Sequence, residues 1–166
     1  VLSRVIRGKT TQTKPIAITR VKPIFHHKIE KDPAALSQAQ RTDFALRADK
    51  AAWGSKLEGL KQVSVGYLET YREIEIANSH GRLAKDNKQY LTFFAEVVGE
   101  KDGQVQTAYE TEGGFSGLEM FDEVPPEKVA ENAIRRLKIL LNAKAAPSGT
   151  MPVVMAAEAG GTMIHE

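Results

Sequence analysis

The pattern of hydrophobic and polar positions changes period several times along the chain. Residues 32–53 read as a helix. Asp32 can accept hydrogen bonds from free backbone N–H groups, and Pro33 suits the first helical position. Leu36, Phe44, Ala48, Ala51 and Ala52 recur on one face, and Gly54 can end the helix. The period then drops to two. In "QVSVGYL", Val63, Val65 and Tyr67 alternate with Ser64 and Gly66, and in "REIEIAN", Ile74 and Ile76 alternate with Glu73 and Glu75. The turn "NSHG" (78–81) leads to "YLTFFAEVVG", apolar on both sides and therefore a candidate central strand. "EKDG" (100–103) is a tight turn, because Asp-Gly supplies the positive φ angles a hairpin requires. "QVQTAYET" is a more polar strand, nearer an edge. After the glycine-rich stretch "EGGFSGLEMFDEV", the helical period returns following "PPE", with Ala130, Ala133, Ile134, Leu137, Leu140 and Leu141 on one stripe. "NAKAAPSGTMP" reads as a connector, "PVVMA" as a short strand, and "AGGTMIHE" as a loop entering a helix. The predicted fold is α+β: a four-stranded antiparallel meander flanked by two helices on one face, in the order α-β-β-β-β-α-β.

Composition narrows the class. The chain has 166 residues, 42% hydrophobic and 27% charged, as in an ordinary globular protein. No apolar run approaches the ~20 residues a membrane helix requires, and "VLSRVIRGKT" lacks the apolar core of a signal peptide. The absence of cysteine excludes disulfide and thiolate chemistry from this stretch. The expected location is cytoplasmic. The chain does not begin with Met and is expected to start inside a larger protein. Its net charge of +2 conceals an asymmetry. Residues 1–31 carry eight Lys/Arg (Arg4, Arg7, Lys9, Lys14, Arg20, Lys22, Lys28, Lys31) against one acid, Glu30, so a basic arm precedes a mildly acidic body. With Pro15, Pro23 and β-branched residues, that arm reads as an extended linker with short edge strands.

The candidate chemistry lies at the far end. His165-Glu166 is the pairing in which a zinc hydrolase sets a His ligand beside a Glu that takes the proton of a metal-bound water. By itself the dipeptide is a weak signal. Its context, an apolar segment and a Gly-Gly turn leading into it, strengthens the reading. The other candidates favour plain roles. His26 and His27 are adjacent, so they point to opposite sides of an extended chain. His80 is a turn residue. Trp53 is expected to be a core or interface anchor. "GGFSG" (113–117) lacks the Gly-Lys-Ser/Thr ending of a phosphate loop. The basic arm has no aromatic interleaving beyond Phe25, so nucleic-acid binding is disfavoured.

Several separated stretches, in order, resemble the TldD/PmbA family of metalloproteases, on the TldD side. They are "NSHG", "GGFSGLEMFDE", "PEKVAENAIRRLKILLNAKAAPSG" and "PSGTMPVVMAAEAGGTMIHE". The resemblance implies a helix bearing HExxxH, with His165 the first zinc ligand and Glu166 the catalytic acid/base. A second His would lie four residues beyond Glu166, and a Cys further on. It implies a boundary scheme: 1–31 linker or end of a preceding domain, 32–146 an α+β middle domain, and 147–166 the start of a C-terminal metalloprotease domain. The chain is expected to be a fragment ending inside the metal motif, and inactive by itself. The resemblance further implies zinc as cofactor and peptides or unfolded proteins as substrates. It implies a homodimer, or a heterodimer with a PmbA-type subunit. Gly113, Gly114 and Gly117, in a loop less glycine-rich than the family's, are candidate substrate contacts. Because the family is also described as a modulator of DNA gyrase, a non-catalytic binding or regulatory module, acting on a protein partner or nucleic acid, stands as the alternative.

Overall fold

The computed structural model describes residues 16–22 and 29–165. Most of the basic arm, His26, His27 and Glu166 lie outside the described residues. Strand β1 (Thr19–Arg20) is followed by a 3-10 turn (Pro33–Ala35), helix α1 (Gln38–Gly54), strands β2 (Leu60–Ala77), β3 (Arg82–Lys101) and β4 (Gln104–Gly114), a short helix α2 (Met120–Glu123), helix α3 (Pro126–Leu140) and helix α4 (Ala157–His165).

The α+β class holds, with four differences in detail. Asp32 does cap, accepting from the Ala34 N–H, but it caps only the 3-10 turn. The α-helix proper starts at a second cap, where Ser37 accepts from Gln40 N–H while the Gln40 side chain accepts from Ser37 N–H. Second, "QVSVGYL" and "REIEIAN" are one continuous strand, β2, since nothing between them is forced to turn. Third, the Gly160-Gly161 pair read as a turn lies within helix α4, and "PVVMA" forms no strand. Its residues are extended and exposed, with Val153 and Val154 in solvent. Fourth, the sheet is mixed. Among the described residues it has four strands, with β3 central. β2 runs antiparallel along one edge of β3, whereas β1, in parallel, and β4, antiparallel, share the other.

The turn reading holds. Asp102 and Gly103 both take positive φ, 51° and 76°, and join β3 to β4. Gly54 does not supply the left-handed residue after α1; Lys56 does, at φ 51°.

The core lies between α1 and α3 on one side and the sheet on the other. Alternation along β3 places Leu91, Phe93, Ala95 and Val97 on the helix side, all fully buried, the last three packed with the helices. Ala48 and Ala52 of α1 and Val129, Ala130, Ala133 and Leu137 of α3 meet them from above. The alanines let the two helices approach each other and the sheet closely. An aromatic group closes one end: Phe44 stacks on Phe121 at 4.5 Å, and Phe93 meets Phe121 edge-on at 5.4 Å. Trp53 is not part of this core and stays half-exposed. On the predicted α3 stripe, Leu140 is likewise exposed, while Val129, outside the stripe, is buried.

Candidate functional site

The glycine loop is built from two directions. β4 ends in Gly113-Gly114, and the chain turns through residues 115–119 into α2. The segment entering α1 passes alongside, held by Glu119. One Glu119 carboxylate oxygen accepts from Gly117 N–H at 2.8 Å and from the Ser116 hydroxyl at 3.2 Å; the other accepts from Lys31 N–H at 3.0 Å. Leu118 N–H returns a bond to the Lys31 carbonyl at 2.8 Å, and the Lys31 ammonium pairs with Asp122. Burial acts to raise the Glu119 carboxyl, but backbone N–H groups of Gly117, Glu119, Lys31 and Glu30 outweigh it and bring it down to about 2.

Gly117 is needed there for space. A Cβ at that position would lie 2.3 Å from the Lys31 carbonyl oxygen and 2.7 Å from Glu119 Oε2. Its candidate role as a substrate contact therefore meets a structural one, since it is buried against the entering segment. Gly113 and Gly114 are exposed and line a cavity of about 480 Å³ with Glu30, Glu112, Ser116 and Glu119. Sequence reading picked out the glycines and missed Glu119. Its only signal was an acid two residues after a loop glycine, where its side chain can turn back onto backbone N–H groups.

His165 ends α4, exposed in the last turn of that helix. It lies apart from the glycine loop in the chain, and the exposed segment 143–156 intervenes. Among the described residues no three His, Asp or Glu side chains converge as a metal site. A catalytic zinc takes three protein ligands. By themselves the described residues do not make up a three-ligand site. Nor, among them, is any helix long and apolar enough to cross a membrane.

This is an α+β domain, two helices on one face of a long hairpin sheet, followed by a linker and a helix with His165 in its last turn. A sequence model of the family described as "PmbA/TldA metallopeptidase central domain" matches residues 31–141. The chain belongs to that family. It is 28% identical over 157 residues to a "Metalloprotease TldD homolog" of Haemophilus influenzae, covering 92% of this chain and 32% of the relative. A protein of the same description from Buchnera aphidicola is 25% identical over 162 residues, covering 93% of this chain and 33% of its own. The chain spans about a third of the length of these relatives. Among solved structures, a Thermotoga maritima protein described as a candidate modulator of a DNA gyrase shares the fold, with a TM-score of 0.65 at 18% identity. That match covers 87% of this chain and 32% of the other.

Proposed function

We infer that this chain is the central part of a TldD-like zinc metallopeptidase that cleaves peptides or unfolded proteins. The observation that carries the reading is the helix at 157–165. It follows a domain of metallopeptidase type and carries His165 in its last turn. In this reading 1–31 is the linker or end of a preceding domain, 32–146 the middle domain, and 147–166 the start of the metalloprotease domain. His165 is the first zinc ligand and Glu166 the acid/base, and the other ligands come from the longer protein. An ideal helix turns about 500° over five residues, so the two histidines of HExxxH need a bulge or bend to share one metal. The isolated chain, with one such ligand, is inactive. Gly113 and Gly114 meet substrate backbone, and the working protein is cytoplasmic and dimeric, with itself or with a PmbA-type subunit.

The test uses protein from the complete reading frame, with bound zinc measured by elemental analysis and cleavage of an unfolded peptide followed by mass. Stoichiometric zinc is expected, lost in His165→Ala and kept by an inactive Glu166→Gln. Full-length protein with neither zinc nor activity would replace this reading with the binding-module one.

A further inference from the structure

The face of the sheet turned away from the helices has its own composition. Alternation and register place on it Arg72 of β2, Lys88, Tyr90, Phe94 and Glu96 of β3, and Tyr109 of β4, with threonines between them. None of the helices packed on the sheet covers this face. Three aromatic rings run across it. Tyr109 is 66% exposed. It pairs with Glu96, which puts it diagonally beside Phe94, at roughly 7–8 Å by ordinary sheet geometry. Phe94 lies over Gly66, where an added Cβ would come within 2.1 Å of the ring. The ring therefore lies against the Gly66 backbone, half-buried. Tyr90 follows four residues back along β3, with Phe115 against it at 4.2 Å.

Beyond Tyr90 on this face stand two cations, followed by Ile74 and Asp86. Arg72 and Lys88 are direct cross-strand partners. Like charges in such a position repel, and the surroundings relieve little of it. Lys88 has Asp86 at 3.7 Å, an exposed pairing of small value, and lies 5.7 Å from the Phe115 ring centre. Arg72 makes no ion pair among the described residues. A row of aromatics with uncharged threonines between them, meeting a juxtaposed cation pair of which only Lys88 has an acid beside it, Asp86 on the same face, suits a polymer that is both flat-ringed and anionic.

The geometry points to a single-stranded nucleic acid bound across this open face. Two or three bases stack on Tyr109, Phe94 and Tyr90, and the backbone phosphates beyond them meet Arg72 and Lys88. Stacking on an open antiparallel sheet is a recurrent way of holding unpaired bases. Such binding tolerates many sequences, because every base has a ring face. Glu96 beside Tyr109 opposes it and limits affinity. Its residues come from positions 72 to 109, not from the N-terminal basic run of the sequence, which offered charge with few rings. Here three strands assemble what no single stretch displays.

The experiment is fluorescence anisotropy of the full chain with a 5′-labelled oligouridylate of about twelve nucleotides, at about 50 mM salt and upward. Tyr109→Ala should weaken binding roughly tenfold, the stacking of one base. Arg72→Glu with Lys88→Glu should weaken it more and flatten the salt dependence, by about 0.7 in log–log slope for each phosphate no longer neutralised. Glu96→Gln should tighten it about twofold. Arg72, Glu96 and Tyr109 are exposed, and far-UV circular dichroism checks that each variant keeps its fold. Absence of binding overturns the proposal. So does binding indifferent to Tyr109 and to the cation pair, which would belong to the basic run. Equal binding of a polyglutamate chain would make the face a site for acidic protein segments instead. Self-association abolished by Tyr109→Ala would make it an interface between copies.

Discussion

The two halves of the β2–β3 hairpin share their strands and one register from Gln62 to Ala77, yet they are different materials. In the near half, the helix-side positions of β3 are Leu91, Phe93, Ala95 and Val97, all buried. In the far half the same side of the same strand carries Lys85, Asn87 and Gln89, and its β2 partners there are Tyr71, Glu73 and Glu75. α1 and α3 reach only the near half. The far half projects as a ribbon, with Tyr71 and Ile76 about 60% exposed. Among the described strand residues of the ribbon only Leu83 is buried, where β1 pairs beside it. Backbone pairing can therefore extend well beyond the core, and stability should track the helices' coverage rather than the length of the ladder.

The sharpest break in that comparison is Phe93→Ala. It removes a fully buried ring that touches the aromatic group, and should cost about 3–5 kcal/mol, read as a fall in the urea midpoint. The next effect is one of pH. Glu119 is held at about 2, below its ordinary 4.5, so its contribution is complete above 4.5 and lost as pH falls through 4.5 toward 2. For a carboxylate only partly shielded from water this amounts to about 1–2 kcal/mol. A pH series of unfolding midpoints should show that acid limb in the parent and a flatter one in Glu119→Gln. Ser37→Ala removes the side-chain half of the α1 capping box and should cost about 1 kcal/mol by thermal melting. Least of all, Ile76→Thr in the ribbon should stay within about 0.5 kcal/mol, although its hydrophobic pattern equals that of buried strands. A large loss there would show that the ribbon is part of the cooperative core.

Arg41 shows how one side chain joins two elements. Its guanidinium donates to Glu69 at 2.9 and 3.2 Å, to the Pro33 carbonyl at 2.9 Å and to the Leu36 carbonyl. The Tyr67 hydroxyl donates to the same Glu69 at 2.5 Å. Burial, then the Glu69 hydrogen bond and charge, push the Tyr67 phenol well above its ordinary range, so it stays a donor. The kink between the 3-10 turn and α1, unexpected from periodicity, lies where Arg41 gathers those carbonyls. In the sequence Arg41 is only a polar residue on the outer side of a helix.

What the sequence determined by itself is local. Helical and alternating periods, the Asp102-Gly103 turn, the core stripe of α3 and the central place of "YLTFFAEVVG" follow from side-chain spacing and backbone preference within a few residues. The resemblance to its family was legible too, because it rests on ordered short motifs. Tertiary structure alone decided which alternating residues are buried, since Val65 and Ile76 sit in equally regular alternation and only Val65 comes to lie beneath a helix. It decided that Glu119, distant in sequence from Lys31, clamps that segment, and that Gly117 serves space before chemistry. It also gathered Tyr109, Phe94, Arg72 and Lys88 on one face. Long-range pairings depend on how strands are registered and where helices end, and neither is written in any local window.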